Sequence, residues 1–378
     1  MAAILAFFTT HCTIPAVIRV AREKHLIEEP NSRSSHAHMT PCLGGIAIFA
    51  SLSIVSLLVA HLSQATAGKS HLILPSLVIL FFIGLKDDIL VIDPYKKLVA
   101  QLIAAGLLIA CADIRIGSLF GLFGVYELPY LVSFVLTIFI FVVVINSYNL
   151  VDGIDGLAGS LGMVAALAFG AYFYVIGVVW ATVLCATLVG SLLSFLHFNF
   201  SESNKVFMGD NGSLIVGFVL ATLAVTFIQV NETGNPFPIA NAPTVAIILL
   251  AIPLFDALRV FSQRLIAGQA PFRADRNHVH HFLIDRGLSH RKATLLLTSL
   301  SALMMGAGFA LATEISVNIS FLALSGAFLI YSVALRRNTA IRRSTLFVKQ
   351  RPASTPSTIS RATTPPLKVE VPIEVEMN

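Results

Sequence analysis

Long uninterrupted apolar runs are the feature that most limits what this sequence can fold into. Two examples are "LVSFVLTIFIFVVVI", residues 131–145, and "TVAIILLAIPLFDAL", residues 244–258. A helix of about 20 mostly apolar residues crosses a bilayer with all its backbone hydrogen bonds satisfied internally. Because 56% of the residues are hydrophobic and only 12% are charged, little of the chain is left for a soluble domain. The sequence therefore predicts an all-α polytopic membrane protein.

Eleven segments are predicted to cross the membrane. They are 1–20, 44–64, 71–86, 97–113, 129–149, 158–177, 179–198, 213–229, 242–264, 293–312 and 317–335. With the N-terminus outside, 23 of the 25 Lys and Arg residues fall in inside segments or at the inner ends of spans, and only Lys69 and Arg115 fall outside. This is the positive-inside distribution. We therefore expect the C-terminus inside, and the net charge of +5 reflects orientation rather than a nucleic-acid partner.

Two regions are expected to depart from the transmembrane pattern. Residues 336–378 are rich in Ser, Thr, Pro and basic residues, so they are predicted to be a disordered cytoplasmic tail after a transmembrane domain of residues 1–335. On the outside, the glycines and alternating apolar residues of "IRIGSLFGLFGVYELP", 114–129, suit a short β-hairpin.

Polar residues gather in five segments, all predicted to lie inside. The first is "PNSRSSHAHMTPCLGG", residues 30–45. Arg33 and His36 could face a phosphate, and Gly44 with Gly45 would let the following span pack closely. A basic loop after a first helix also arises from orientation alone, and this segment does not decide between the two interpretations.

The second segment is "GLKDDILVIDPYKK", residues 84–97, in which Asp87 and Asp88 directly follow a span. Neighbouring helical side chains point about 100° apart, so one carboxylate can approach a metal while the other serves a proton or an anionic partner. The alternative is a hydrated helix end that pairs with lysine. The candidate lysines are Lys86, Lys96 and Lys97.

The third segment is "NSYNLVDGIDGLAG", residues 146–159, where four polar residues recur at a spacing of three and are predicted to share one helix face. These residues are Asn146, Asn149, Asp152 and Asp155. Gly153 and Gly156 beside them are expected to leave room for a ligand against the backbone.

The fourth segment is "KVFMGDNGSLIVGF", residues 205–218. Asp210 and Asn211 precede a span, where either would serve as a helix cap. The same helix start would also suit a phosphate or a metal-bound carboxylate.

The fifth segment, "PFRADRNHVHHFLIDRGLSHRKA", residues 271–293, carries Arg276, His278, His280 and His281. Histidines among arginines suit an anionic phosphate better than zinc, since no cysteine lies nearby.

Together the five segments predict one site for a diphosphate-containing substrate at the inner membrane edge. Mg²⁺ prefers oxygen ligands and is usually held by one or two carboxylates together with substrate phosphates, and Mn²⁺ could replace it. Arginine supplies bidentate contacts to phosphate. A site at the membrane edge is also accessible to a lipid head group.

The ordered patterns "DD", "NxxNxxDGxDGL", "FMGDxGSL" and "DRxHxHH" resemble those of the polyprenyl-phosphate N-acetylhexosamine-1-phosphate transferases, over about residues 20–310. The resemblance implies a multi-pass enzyme of the bacterial inner membrane that moves a sugar 1-phosphate from a UDP-sugar to undecaprenyl phosphate and releases UMP. The run "HVHH" and the stretch "PNSRSSH" resemble the branch that uses UDP-GlcNAc or a related UDP-N-acetylhexosamine. The alternative is the branch that uses UDP-MurNAc-pentapeptide, which typically has three consecutive histidines.

The resemblance also implies roles for individual residues. Asp87 and Asp88 match an acid pair that deprotonates or positions the polyprenyl phosphate, and Asn149 and Asp210 match magnesium ligands. The substrate-binding positions that the resemblance implies are Asp152 and Asp155 at nucleotide-side and structural polar positions, Phe207 stacked on uracil, and Arg276, His278, His280 and His281 on the diphosphate and sugar. A homodimer is retained as a candidate assembly.

Two other function classes fit less well. A cation-coupled transporter would be expected to carry its acids and broken helices near mid-span, whereas these acids cluster at inner span ends. An intramembrane aspartyl protease would need two aspartates within facing spans, and Asp152 and Asp210 are predicted to lie too near the surface.

Overall fold

A computed structural model describes residues 1–24, 26, 40–62, 69–90, 92–232, 234–269 and 277–349. Within these residues the regular secondary structure is helical apart from one hairpin. The helices are α1 (Ala2–Glu23), α2 (Gly44–Leu62), α3 (Leu74–Leu90), α4 (Pro94–Ala112), α5 (Tyr130–Val151), α6 (Leu157–Val175), α7 (Val179–Asn199), α8 (Gly209–Glu232), α9 (Ala242–Leu249), α10 (Ala251–Ile266), α11 (Val279–Ile284), α12 (His290–Ala310) and α13 (Val317–Lys349). A short 3-10 turn, Ser70–Ile73, precedes α3.

The prediction of a polytopic helical membrane protein is confirmed. Across the described ranges, eight helices are long and apolar enough to cross a membrane, and the bent pair α9–α10 makes up to nine. The shorter helices α2 and α3 coincide with two further predicted spans, 44–64 and 71–86. Every predicted span therefore falls on one helix or on the bent pair, while eleven actual crossings and the orientation stay predictions.

Two predicted spans differ in detail from the structure. Segment 242–264 is not one helix, because the chain turns by 84° between α9 and α10. Pro253 lies in the first turn of α10 and has no backbone N–H to donate to α9, which favours a break at this point. The last helix, α13, continues to Lys349, so the predicted tail begins within a helix. Residues 350–378 of that tail lie outside the described residues.

The chain divides into a unit of Met1–Ser332 and a unit of Val333–Asn378. The first unit is built around α8, which is buried along almost its whole length. Glycines of neighbouring helices bring their backbones against its first turn. A Cβ on Gly45 of α2 would lie 2.2 Å from the Gly212 nitrogen, and one on Gly84 of α3 would lie 2.5 Å from the Asn211 Cα atom. Helices α2 and α3 are thereby fixed against the start of α8.

The predicted hairpin is confirmed. Strands β1 (Ser118–Leu122) and β2 (Val125–Glu127) pair antiparallel, with Ser118 opposite Glu127. The hairpin lies near the C-terminal end of α8, where the Glu232 carboxylate accepts hydrogen bonds from the Gly117 and Ser118 amides at 2.9 and 3.0 Å. The opposite, N-terminal end of α8 carries Asp210 and Asn211 of the fourth polar segment.

Candidate active site

The adjacent aspartates at the end of α3 have different partners. Asp87 accepts a hydrogen bond from the Ile92 amide at 2.7 Å and forms an ion pair with Lys97 Nζ at 2.5 Å. Asp88 accepts the amides of Asp210 and Asn211 at 2.7 and 3.1 Å, and so satisfies two N–H groups at the start of α8. The two carboxylates thus have separate partners, and the pairing of Asp87 with Lys97 matches the lysine alternative, while their roles towards a metal or a proton stay predictions. The cap of α8 was predicted from Asp210 or Asn211, but Asp88 on another helix provides these acceptors.

Lys97, at the start of α4, joins two of the predicted polar segments. Its ammonium contacts both Asp87 Oδ2 and Asp210 Oδ2. On the other side of Asp210, the Asn149 amide donates to Asp210 Oδ1 at 2.6 Å and to Ser213 Oγ at 2.9 Å. Asp87, Lys97, Asn149 and Asp210 form one contiguous group, which we call the central cluster. Helices α3, α4, α5 and α8 each contribute one of its members.

The central cluster contains carboxylate and amide oxygens, which are the ligand atoms that a magnesium ion prefers. The ammonium of Lys97 already lies between two carboxylate oxygens, so this position accommodates a cation. Asn149 presents Nδ2 to Asp210, and turning its amide would present the oxygen instead. Within the described part of the chain no group of three or more His, Cys, Asp or Glu residues is arranged to hold a metal. Mg²⁺ is compatible with fewer, because substrate phosphates and water complete its ligands.

The four polar residues of the third segment do not share one helix face, contrary to the prediction. Helix α5 ends at Val151, so Asn146 and Asn149 are helical, Asp152 follows as the C-terminal cap position, and Asp155 lies in a turn. Of the four, Asn149 joins the central cluster through its bond to Asp210. Asn146 instead donates to Gln101 Oε1 at 2.7 Å.

Asp155 ties its turn to two other segments. Its Oδ2 atom accepts from Lys205 Nζ at 2.7 Å and lies 3.1 Å from His290 Nδ1. Its backbone carbonyl accepts from Thr294 Oγ1 at 2.7 Å. Burial alone would raise the pKa of Asp155, but the hydrogen bonds and charges of His290 and Lys205 outweigh it and hold the pKa below its ordinary value. These contacts hold the turn in place, while a nucleotide-side role for Asp155 stays a prediction.

The room predicted beside Gly153 and Gly156 is taken by the protein's own rings, which corrects that expectation. A Cβ on Gly153 would lie 2.2 Å from His280 Nε2, and one on Gly156 would lie 2.0 Å from the Phe200 ring. Gly156 also has φ +73°, a left-handed conformation that favours glycine. The glycines therefore allow the turn after α5 to pack against His280 and Phe200.

The HVHH segment, His278–His281, is thus seated on the turn that follows Asn149. His278 Nδ1 lies 2.8 Å from Asp256 Oδ2, and both side chains are buried. His280 is 1% exposed, and its ring nitrogens have no hydrogen-bond partner among the described residues. Burial, assisted by the neighbouring His281, lowers the pKa of His280 to about 3, so this ring is neutral at pH 7. His281 lies beside it, with ring centroids 4.3 Å apart.

Phe207 lies in an extended segment that joins the first and fourth polar segments. Its amide donates to the Pro41 carbonyl at 2.8 Å, and its carbonyl accepts from the Gly44 amide at 2.9 Å. The Lys205 ammonium lies 5.3 Å from the centre of its ring, within reach of a cation–π contact. Stacking of this ring on uracil stays a prediction. Arg33, His36 and Arg276 lie outside the described residues.

Sequence reasoning missed or left undecided several residues that hold the site together. Lys97 was only one of three lysines considered as partners of the acid pair. Asp256 lies inside a predicted span, and an acid in such a place is itself a signal of function. Lys205 and His290 gave no signal, because their common partner Asp155 is 50 and 135 residues away in sequence.

Comparisons of the sequence with a family model and with known proteins point to the same family of transferases. The model of the family described as "Glycosyl transferase family 4" matches residues 70–228. Three relatives carry the name undecaprenyl-phosphate alpha-N-acetylglucosaminyl 1-phosphate transferase. The Salmonella typhi protein is 31% identical over 344 residues, which is 88% of this chain and 90% of the relative. The Haemophilus influenzae protein is 34% identical over 282 residues, 73% and 77% of the two chains. The Escherichia coli K12 protein is 30% identical over 348 residues, which is 88% of this chain and 90% of the relative.

Proposed function

The chain belongs to glycosyl transferase family 4, and from this membership we propose that it transfers GlcNAc 1-phosphate, or a related N-acetylhexosamine 1-phosphate, from the UDP-sugar to undecaprenyl phosphate. The relatives' names support both the acceptor and the sugar. The observation that carries the proposal is the central cluster, in which carboxylate and amide groups from three helices lie together with an ammonium group that a fourth helix contributes.

The proposed reaction is a direct displacement at phosphorus. An oxygen of the lipid phosphate bonds to the β-phosphorus of the UDP-sugar, and the bond from that phosphorus to the bridging oxygen breaks. The electron pair of that bond leaves with UMP, and the sugar keeps its own phosphate. Phosphoryl transfer needs mainly positioning and charge stabilisation from the protein.

Within this proposal, Asn149 and Asp210 would hold Mg²⁺, with Asp87 alongside, and Mn²⁺ could serve in its place. The chemistry that the ion supplies when bound is neutralisation of charge on the diphosphate and on the departing UMP. Lys97 contributes a fixed positive charge at the same place, and Asp87 orients it towards the lipid phosphate. Asp88 holds the start of α8, which carries Asp210, and so acts by position.

The test is an assay of UMP release and lipid product by membranes that contain the protein and added polyprenyl phosphate. We expect UDP-GlcNAc to serve as donor, EDTA to abolish transfer, and Mg²⁺ or Mn²⁺ to restore it. Asp210→Asn and Asn149→Ala should abolish transfer at unchanged protein level. A matched control is Asp113→Asn, an exposed acid near the hairpin end, which should leave transfer unchanged.

Two outcomes would contradict parts of the proposal. Full turnover in metal-free buffer would exclude the magnesium role. Equal use of UDP-MurNAc-pentapeptide would overturn the choice of sugar branch while leaving the reaction class in place.

The arrangement in the membrane is part of the same proposal. We place the protein in the bacterial inner membrane with eleven crossings, the N-terminus outside and the central cluster on the cytoplasmic face. An alkaline phosphatase fusion at Gly124 should then be active and one at Glu202 inactive, and the reverse result would invert the orientation. Light scattering of the purified protein would distinguish the candidate homodimer from a monomer.

A further inference from the structure

Asp256 is a buried acid that the proposed reaction does not yet use. It lies in α10, just after the bend from α9, and is 2% exposed. Its Oδ1 atom has three hydrogen-bond donors: the Arg259 guanidinium at 2.9 Å, the Val279 amide at 3.0 Å and the Tyr331 hydroxyl at 3.3 Å. Its Oδ2 atom is bound by His278 Nδ1 at 2.8 Å.

These contacts determine both the position of His278 and which of its ring nitrogens carries the proton. The amide of Val279, directly after His278, is held by the same carboxylate, so the backbone and the ring are anchored together. Arg259 adds a second anchor, because it also donates to the Asn277 carbonyl on the other side of His278. A carboxylate oxygen only accepts hydrogen bonds when ionised, so the Nδ1 atom that faces it must carry a proton. The Nε2 atom is then the one available to another partner.

We propose that Asp256 is a positioning residue for the transfer reaction, which acts by holding His278 with its Nδ1 proton towards α10 and its Nε2 atom towards the diphosphate. This inference rests on the proposed function, because it needs a substrate diphosphate at the HVHH segment. His280 of that segment packs against Gly153, four residues beyond Asn149. The HVHH segment therefore lies beside the C-terminal end of α5, which contributes Asn149 to the central cluster.

The variant that tests the role is Asp256→Asn. Oδ1 has three donors and Oδ2 has one, so the asparagine oxygen should stay with the three donors and its NH₂ group should face His278. That group needs an acceptor, so the His278 proton moves to Nε2 while the shape of the site is kept. We expect kcat to fall at least tenfold, with the KM for the UDP-sugar and the melting temperature close to those of the wild type.

The matched control is Tyr331→Phe, which removes one donor from the same carboxylate but leaves the oxygen that binds His278. Its kcat should stay within twofold of the wild type. An equal loss of kcat in both variants would overturn the proposal, because it would show that general disturbance of the Asp256 surroundings suffices.

A double-mutant cycle separates positioning from simple structural support. In a His278→Ala background, adding Asp256→Asn should reduce the residual kcat no further than twofold. A full additional loss would mean that Asp256 does not act through His278. If wild-type membranes released no UMP at all, the proposed function would fail, and the position of the His278 proton would still be tested by the measurement that follows.

A spectroscopic measurement needs no Asp256 variant and covers the case in which Asp256→Asn fails to fold. In ¹⁵N-histidine spectra, the signal that disappears in His278→Gln identifies His278. We expect a proton on its Nδ1 atom. A ring protonated only on Nε2 would refute the proposal directly.

Discussion

His280 of the HVHH segment packs against Gly153, and this contact can be tested by adding a single carbon. In Gly153→Ala the new Cβ would lie 2.2 Å from His280 Nε2, whereas ordinary contacts begin at 3.4 Å. One of the two groups must therefore move by about 1.2 Å. The His280 ring has little freedom to do so, because it is 1% exposed and has the rings of His278 and His281 on its flanks.

The expected effect on activity follows from the size of this shift. A misplacement of about 1 Å in a catalytic arrangement can lower the rate about 100-fold, equivalent to about 2.7 kcal/mol of transition-state stabilisation. Overpacking of this kind costs about 1–3 kcal/mol of folding stability. We therefore expect kcat for UMP release from UDP-GlcNAc to fall about 100-fold, with a lowered melting temperature in detergent.

Two comparisons make this prediction specific. Gly306→Ala in α12 adds a methyl group where no atom lies within 4 Å, so it should be neutral or slightly stabilising. In a His280→Ala background the ring is gone, and Gly153→Ala should then cost little further stability. A Gly153→Ala protein with wild-type kcat would refute the reasoning, since it would show that the seat of the HVHH segment does not determine its function.

The remaining predictions concern stability, pH and the tail. His280 has a pKa of about 3 when folded and an ordinary value of 6.5. Between pH 6.5 and about pH 3 the unfolded chain therefore binds a proton that the folded chain does not, and the free energy of unfolding should fall by about 1.4 kcal/mol for each pH unit across that range. Melting curves of His280→Gln should lack this loss, and equal slopes in the two proteins would contradict the prediction. Asp88→Ala should lower the free energy of unfolding by about 1–3 kcal/mol, because the N–H groups of Asp210 and Asn211 lose their acceptor. The control Asp93→Ala removes one exposed acceptor at the start of α4 and should lower it by about 1 kcal/mol or less. Truncation after Arg343 should leave the specific activity nearly unchanged, and a large loss at equal protein level would assign the tail a catalytic role.

The helical framework was predictable because membrane burial imposes a single strong rule. Each span must be apolar for about 20 residues, and each predicted span indeed falls on a helix or on the bent pair. The break near Leu250 is harder to predict, although Pro253 marks it. Proline is an ambiguous signal in membrane helices, and Pro15 lies inside the unbroken helix α1.

The site was predictable in its membership more than in its geometry. Residue types and their order indicated Asn149 and Asp210, which the structure brings together at 2.6 Å. Helical periodicity failed at Asp152 and Asp155, because the glycines that follow each of them end the helix and form a turn. The pairing of Lys97 with the acids depends on the packing of α3 against both α4 and α8, and no local pattern carries that information.

The glycine contacts at the start of α8 have a consequence for the energetics of binding. Gly45 and Gly84 leave no gap between three backbones, so the first turn of α8, with Asp210 on it, cannot shift without moving α2 and α3 as well. The protein side of the cationic position is therefore set during folding, before any substrate arrives. Affinity is then not reduced by the conformational entropy of assembling that side.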